Sequence, residues 1–294
     1  MEISSILKDC NFEFKKKFGQ NFITDSNLLN AIVDDADITD TDEVLEIGVG
    51  SGTLTKALAN RAKKVVGYEI DKSLFDVLSF TLKGYENISI NFKDFLKAST
   101  EEVNSQFNGR FKVVANLPYY ITTNIIFALI EKNFNVSSLT LMVQKEVAER
   151  LCSKPGTKDY GTITAEIDSI GTAEINRIVN RNMFMPAPNV DSAVVTIKLN
   201  KNKYDIKNLE LHRKVIRAAF SMRRKTLANC LKSSFLLSAT QLDELFTKFG
   251  FDKNIRGETL TTEQFVELSN LLFIISKKDW LVFFCFIKIS LFFI

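Results

Sequence analysis

Short apolar runs of strand length alternate with longer segments whose apolar residues recur at helical spacing. Val44-Leu45-Glu46-Ile47, Val65 to Glu69, Ile88-Ser89-Ile90, Phe111 to Ala115 and Leu139 to Val143 read as strands. Between them, Leu54 to Ala62, Lys72 to Leu82 and Ile125 to Lys132 read as helices. Strands alternating with helices imply right-handed crossovers and a mostly parallel α/β sheet with helices on both faces. Further strands are expected at Ile163 to Ile170, Glu174 to Val179 and Ala193 to Leu199. After about Asn200 the alternation stops. Leu209 to Ala219, Arg224 to Leu231, Ala239 to Phe249 and Thr262 to Phe273 read as helices, the last opening on Thr262-Glu263. The polar segment Asn200 to Asp205 is the expected boundary between an α/β domain, 1–203, and a small all-α domain, 204–275, followed by an apolar tail, 276–294.

At 294 residues the chain is long enough for two cores. Net charge is only +3, but its distribution is uneven: residues 201–256 hold thirteen Lys and Arg against five Asp and Glu. A basic C-terminal part on a near-neutral body suggests a polyanionic partner, with a solvated helical face as the alternative. Cys10, Cys152, Cys230 and Cys285 are scattered without a CxxC pair, which fits free thiols in a reducing cytosol. A single histidine, His212, argues against a Ser-His-Asp triad or a multi-His metal site, and is expected on a helix surface. Met1 to Asn11 has no apolar core of signal-peptide length. Trp280 to Ile294 is nearly all apolar but shorter than the roughly 20 residues of a membrane span.

Candidate chemistry sits at strand ends. In "VLEIGVGSGTLT", Gly48, Gly50 and Gly52 let the backbone turn sharply and approach a ligand. Thr53 stands where a dinucleotide fingerprint needs its third glycine, so GxGxxG fails. Glu46 with the GxGxG spacing instead resembles motif I of class I S-adenosylmethionine methyltransferases, with their Rossmann-like sheet. Glu69, ending the second strand, can accept from both hydroxyls of a ribose, and Asp94, after the third, can accept from the cofactor's adenine amine with Phe95 beside the ring.

The fourth strand ends in Asn116-Leu117-Pro118-Tyr119, which should face the cofactor's methyl, since ligands of open α/β sheets bind beyond the strands' carboxyl ends. The Asn116 side-chain oxygen and the Leu117 carbonyl can accept from an adenine's exocyclic amine and aim its lone pair. Pro118 fixes the backbone and Tyr119 can stack on the base. Positioning and electrostatics then carry an in-line displacement. A paired base cannot reach such a pocket, so it is flipped or already single-stranded. In "RNMFMPAPNVDSAVV", Phe184 either sandwiches the base against Tyr119 or plugs a small core cluster, on a loop kept extended by Pro186 and Pro188.

These motifs together resemble the KsgA family of ribosomal RNA adenine dimethyltransferases, over about Lys15 to Leu272. The carriers are "KKKFGQNFITD", "EIGVGSGTLT", "ANLPYYITT", "LMVQKEVAERL", "YGTITAEI", "FMPAPNVDSAVV", "AAFSMRRKTLANCL" and "RGETLTTEQFVELSNLL". The resemblance implies S-adenosyl-L-methionine as cofactor, contacted at Asn21, Ile23, Gly48, Glu69, Asp94 and Asn116, with Gln20 closing over the active site. It implies dimethylation of two adjacent adenines in the 3′-terminal hairpin of 16S rRNA, in the small subunit or its precursor, by a cytoplasmic monomer. Arg213, Lys214, Arg217, Arg223, Arg224 and Lys225 then contact rRNA phosphates, with Lys15 to Lys17 adding to this near the active site. Val49 departs from the family's common Pro, and Tyr120 from a smaller polar residue. A macrolide-resistance methylase of the large-subunit 23S rRNA shares the cofactor motifs, but "FSMRRKTL" favours the KsgA type. A non-catalytic assembly factor is the remaining alternative; intact Asn116, Tyr119 and glycine loop argue against it.

Overall fold

The computed structural model describes residues 3–15, 18–222, 224–235 and 237–275. Its main feature is a seven-stranded sheet. In chain order the strands are β2 (Glu43–Ile47), β3 (Lys64–Tyr68), β4 (Ile88–Asn91), β5 (Phe111–Asn116), β6 (Val136–Gln144), β7 (Gly171–Val179) and β9 (Ser192–Leu199), arranged β4-β3-β2-β5-β6-β9-β7. β2 pairs in parallel with β3 and β5, as do β3 with β4 and β5 with β6, while β9 runs antiparallel to β6. A separate two-stranded sheet joins β1 (Phe22–Ile23) to β8 (Phe184–Met185), opposing Ile23 to Phe184.

All five residues of β2 are buried, as a central parallel strand covered on both faces requires. The register sets Ile47 beside Tyr68 and Tyr68 beside Asn91, so the residues after β2 and β3 emerge from one sheet edge. Strand order reverses between β2 and β5, where an open α/β sheet leaves a crevice. α2 (Ser26–Asp35) starts where Asp25 accepts from the Leu28 amide at 2.8 Å. α3 (Thr53–Ala59) follows the glycine loop, and a core cluster gathers Val33, Val44, Leu58, Val65 and Val114.

The chain divides into two units. One comprises residues 1–152 and 172–200; the other comprises 153–171 and 201–294, so the second unit takes in a stretch upstream of Asn200. That stretch holds α8 (Thr162–Ile170), where the sequence pattern suggests a strand. Ile163, Thr164, Ala165, Glu166, Ile167, Ser169 and Ile170 are all buried, so no one-sided helical stripe survives to be read. The β-branched residues then tip the local preference the wrong way. The second unit also holds α9 (Leu209–Phe220), α10 (Leu227–Phe235), α11 (Ala239–Phe249) and a helix over 262–275, around a core of Val215, Leu231, Phe246 and Phe265.

His212, expected on a surface, is fully buried on α9. Its Nε2 lies 2.8 Å from the Ser169 hydroxyl and its Nδ1 2.9 Å from that of Ser269. Burial holds its pKa down at about 4, so the ring is a neutral link in the helical core. The apolar tail lies outside the described residues.

Candidate active site

A cavity opens at the carboxyl ends of β2 to β5. Its wall is the glycine loop 48–51, Glu69 and Ile70 after β3, residues 93–96 after β4, residues 116–121 after β5, and residues 18–23. Gly50 has φ +59°, and a Cβ there would meet the Phe22 ring at 3.0 Å. That residue turns left-handed and lets the 18–23 segment lie close. Its amide donates to Glu69 Oε2 at 2.8 Å, and the Asp71 amide donates to Oε1 at 2.8 Å. Both oxygens keep lone pairs for further donors. Burial raises the Glu69 pKa, with the Asp71 charge adding to the rise against the backbone donors.

In and beneath the loop, the side-chain oxygens Glu46 Oε2, Ser51 Oγ and Thr55 Oγ1 are buried, with Thr55 beside the Glu46 carboxyl. Burial, reinforced by Glu69, pushes the Glu46 carboxyl up to about 8. The residues therefore fit a nucleoside carrying a charged amino-acid tail. Glu69 suits a ribose diol, and Glu46 and Ser51 line the same cavity on the side left for the tail. Asp94 lines the same wall, with Oδ1 accepting from the Leu96 amide at 3.0 Å, and Phe95 packs behind it.

Asn116, the last residue of β5, donates Nδ2 to the Asn21 carbonyl at 2.9 Å. A carbonyl accepts only, so this bond fixes which end of the amide is nitrogen and leaves Oδ1 as the acceptor on the cavity wall. The Leu117 amide is used by Met142 O at 3.1 Å, while the Pro118 carbonyl accepts from Ile121 and Thr122. The turn is thus held by its own backbone. The Tyr119 hydroxyl sits 2.6 Å from Ser192 Oγ, which fixes the ring. Tyr119, Gly19, Gln20 and Asn21 also border a second cavity, completed by Phe14, Lys15, Gln144 and residues 186–190. The exposed Tyr120 ring covers Gly19, 3.4 Å from where a Cβ would stand.

The cavity thus gathers Gln20, Asn21, Ile23, Gly48, Gly50, Glu69, Asp94, Asn116, Leu117, Pro118 and Tyr119. Phe184 is not among them. It is buried with Ile23, Leu29 and Val33, held there by the β1–β8 pairing, so the structure places it in the core and off the cavity wall. Asp71, Ser192 and Phe14 carry no motif that marks them as partners, and Lys15, expected near the active site as a phosphate contact, pairs instead with Asp71. The sequence shows an acid two residues beyond Glu69, but not what it faces.

The basic residues of the second unit divide. Arg217 pairs through Nε with Glu166 at 2.9 Å; Glu166 is 1% exposed while the arginine side chain is 46% exposed, so Arg217 neutralises a buried carboxylate from an exposed position. Lys214 pairs with Glu210, Arg213 is half-buried, and Arg224 and Lys225 are exposed. Arg223, Lys16 and Lys17 lie outside the described residues. Among the described residues no group of His, Cys, Asp or Glu is arranged to hold a metal, and no helix is long and apolar enough to cross a membrane.

The family model "Ribosomal RNA adenine dimethylase" matches residues 11–273. The chain is 45% identical over 277 residues to "Ribosomal RNA small subunit methyltransferase A" of Bacillus cereus, covering 91% of this chain and 94% of that one. It is 42% identical to the protein of the same name from Clostridium acetobutylicum, covering 91% of this chain and 97% of that one. Among solved structures, a dimethyladenosine transferase from Plasmodium falciparum superposes with TM-score 0.69 at 26% identity, over 84% of this chain and 95% of that one. The 23S rRNA methyltransferase ErmE gives TM-score 0.65 at 26% identity, over 85% and 98%.

Proposed function

The chain belongs to the ribosomal RNA adenine dimethylase family, and from that premise we propose that it dimethylates the N6 amines of two adjacent adenosines in the 3′-terminal hairpin of 16S rRNA. The methyl donor is S-adenosyl-L-methionine, which supplies an electrophilic methyl on a sulfonium. The small ribosomal subunit or its precursor is the proposed substrate, and the chain acts as a cytoplasmic monomer.

The observation that carries this reading is the Asn116 amide, oriented by Asn21 and placed on the wall the glycine loop also lines. Asn116 Oδ1 and the Leu117 carbonyl accept from the two N–H groups of an amine. That draws its lone pair out of conjugation and toward the donor side of the cavity. Asn116 cannot take a proton near neutral pH, so these groups act by position and polarity. Tyr119, braced by Ser192, offers its ring to the base, which enters through the second cavity. Glu69 holds the cofactor's ribose and Asp94 its adenine amine. Exposed Arg224 and Lys225 contact phosphates and set register rather than sequence.

The test is incubation of the chain with labelled S-adenosyl-L-methionine and, in parallel, unmethylated small and large subunits, followed by nucleoside mapping. N6,N6-dimethyladenosine at two adjacent positions of the terminal hairpin supports the reading. Label confined to large-subunit RNA replaces it with the ErmE type, for which the similar superposition speaks.

A further inference from the structure

Asp71 is almost fully buried at 3% exposure, stands two residues beyond Glu69, and has both carboxylate oxygens engaged. Oδ1 accepts from Lys15 Nζ at 2.7 Å, from the Ser73 hydroxyl at 2.8 Å and from the Ser73 amide at 3.1 Å. Oδ2 accepts from Gln20 Nε2 at 2.8 Å. Gln20 in turn accepts at Oε1 from the Lys15 amide at 2.8 Å. Meanwhile the Asp71 amide donates to Glu69 Oε1, and Glu69 Oε2 receives the Gly50 amide. One unbroken run of hydrogen bonds therefore links the glycine loop, the ribose-facing carboxylate and the segment that crosses the cavity.

That segment is held at its other end by different elements. The Asn21 carbonyl accepts from Asn116 Nδ2, and Tyr120 covers Gly19. Residues 19–21 thus stretch between the tip of β3 and the tip of β5, over the cavity they help to line. Two anchors of unlike chemistry have unlike consequences. The β5 anchor includes the amide that grips the reacting amine. The β3 anchor touches only the cofactor side, through Glu69.

We propose that Asp71 is a positioning residue that sets how tightly the chain retains its nucleoside cofactor, by tying Lys15 and Gln20 across the ribose-binding end of the cavity. Asp71 does not touch the reacting atoms. It acts through Glu69, whose backbone donor it supplies, and through Gln20, whose side chain it fixes. A cofactor held under residues 19–21 can leave only when the Asp71 contacts part. Each successive methyl transfer needs a fresh donor, so the strength of these contacts governs exchange. The proposal rests on the methyltransferase reading above.

The experiment measures affinity for S-adenosylhomocysteine by calorimetry, and kcat and KM with saturating small subunits, in the full chain and in Asp71→Asn, Lys15→Met and the double variant. Asp71→Asn is expected to weaken S-adenosylhomocysteine binding and raise KM for S-adenosyl-L-methionine about tenfold, the scale of one or two charge-assisted hydrogen bonds, with kcat within twofold. Lys15→Met removes the same ion pair from its half-exposed side, where folding is least at risk. The double variant is expected to be no worse than Asp71→Asn alone, because both changes break one contact. A fall in kcat with unchanged affinity overturns the proposal, as does additivity of the two single changes. Unchanged affinity in both variants, with normal binding by the unaltered chain, overturns it and leaves the methyltransferase reading standing. Absence of binding by the unaltered chain overturns both.

Discussion

Asn116 and Asn21 stand 95 residues apart in sequence, yet a 2.9 Å hydrogen bond from the side chain of one to the main chain of the other decides the orientation of the proposed catalytic amide. The bond spends the nitrogen and frees the oxygen. Replacing Asn116 by Ala removes both functions together. Methyl transfer should fall by about a hundredfold or more, the usual scale for losing one preorganised polar contact to a transition state. Cofactor binding should weaken with loss of the Asn21 anchor yet stay measurable, because Glu69, Asp94 and the glycine loop are untouched. Single-turnover kinetics alongside calorimetry separates the two, and retained turnover removes Asn116 from the mechanism.

Glu46 gives a pH prediction. Its folded pKa, about 8, lies above its ordinary 4.5, so between those values the folded chain keeps a proton that the unfolded chain has released. Stability contributed by the protonated carboxyl is therefore present below about 4.5 and is lost as pH rises toward 8, at up to about 1.4 kcal/mol per pH unit. Glu46→Gln keeps the neutral shape and removes the proton. It should raise the denaturation midpoint of the cofactor-free chain more at pH 8 than at pH 5. An equal gain at both would mean that Glu46 titrates like an exposed carboxylate.

Gly67, the penultimate residue of β3, faces Val49 of the glycine loop. A Cβ there would lie 2.5 Å from Val49 Cγ2 and 2.7 Å from the Ile90 side chain. Val49 is itself buried, so it is packed in rather than loosely tethered. Gly67→Ala should cost about 1–3 kcal/mol by overpacking. Adding Val49→Ala should recover part of that loss, as urea denaturation would register. Full additivity of the two would break the link between strand and loop.

Arg217 and the Arg224–Lys225 pair should behave differently. Arg217→Ala strips a charged donor from buried Glu166, and should lower stability by about 1–3 kcal/mol while leaving the salt dependence of subunit binding alone. Arg224→Glu with Lys225→Glu should leave stability unchanged, weaken binding to small-subunit precursors, and flatten the logarithmic salt slope by about two. A slope unmoved by the pair would mark both as merely solvated.

Much of the molecule was legible in the residue order because its signals are local. Alternating strand-length and helical runs specify the parallel sheet, and the strand-end positions of Gly48, Glu69, Asp94 and Asn116 set them on one edge. Such signals survive because a strand's end and a glycine's turn depend on neighbours in sequence. The failures lie where burial or partnership comes from far along the chain. α8 is covered on nearly every side, which erased the period that would have marked it. His212 is interior because Ser169 and Ser269 meet it there, and Phe184 is interior because β1, more than 150 residues earlier, pairs with it. The residue order does not show that Arg217 pairs with buried Glu166. The order of residues determined which chemistry the chain carries and at which strand ends; only the folded chain decided which polar groups face the cavity and which are spent on one another, because hydrogen bonds between distant segments leave no periodicity to read.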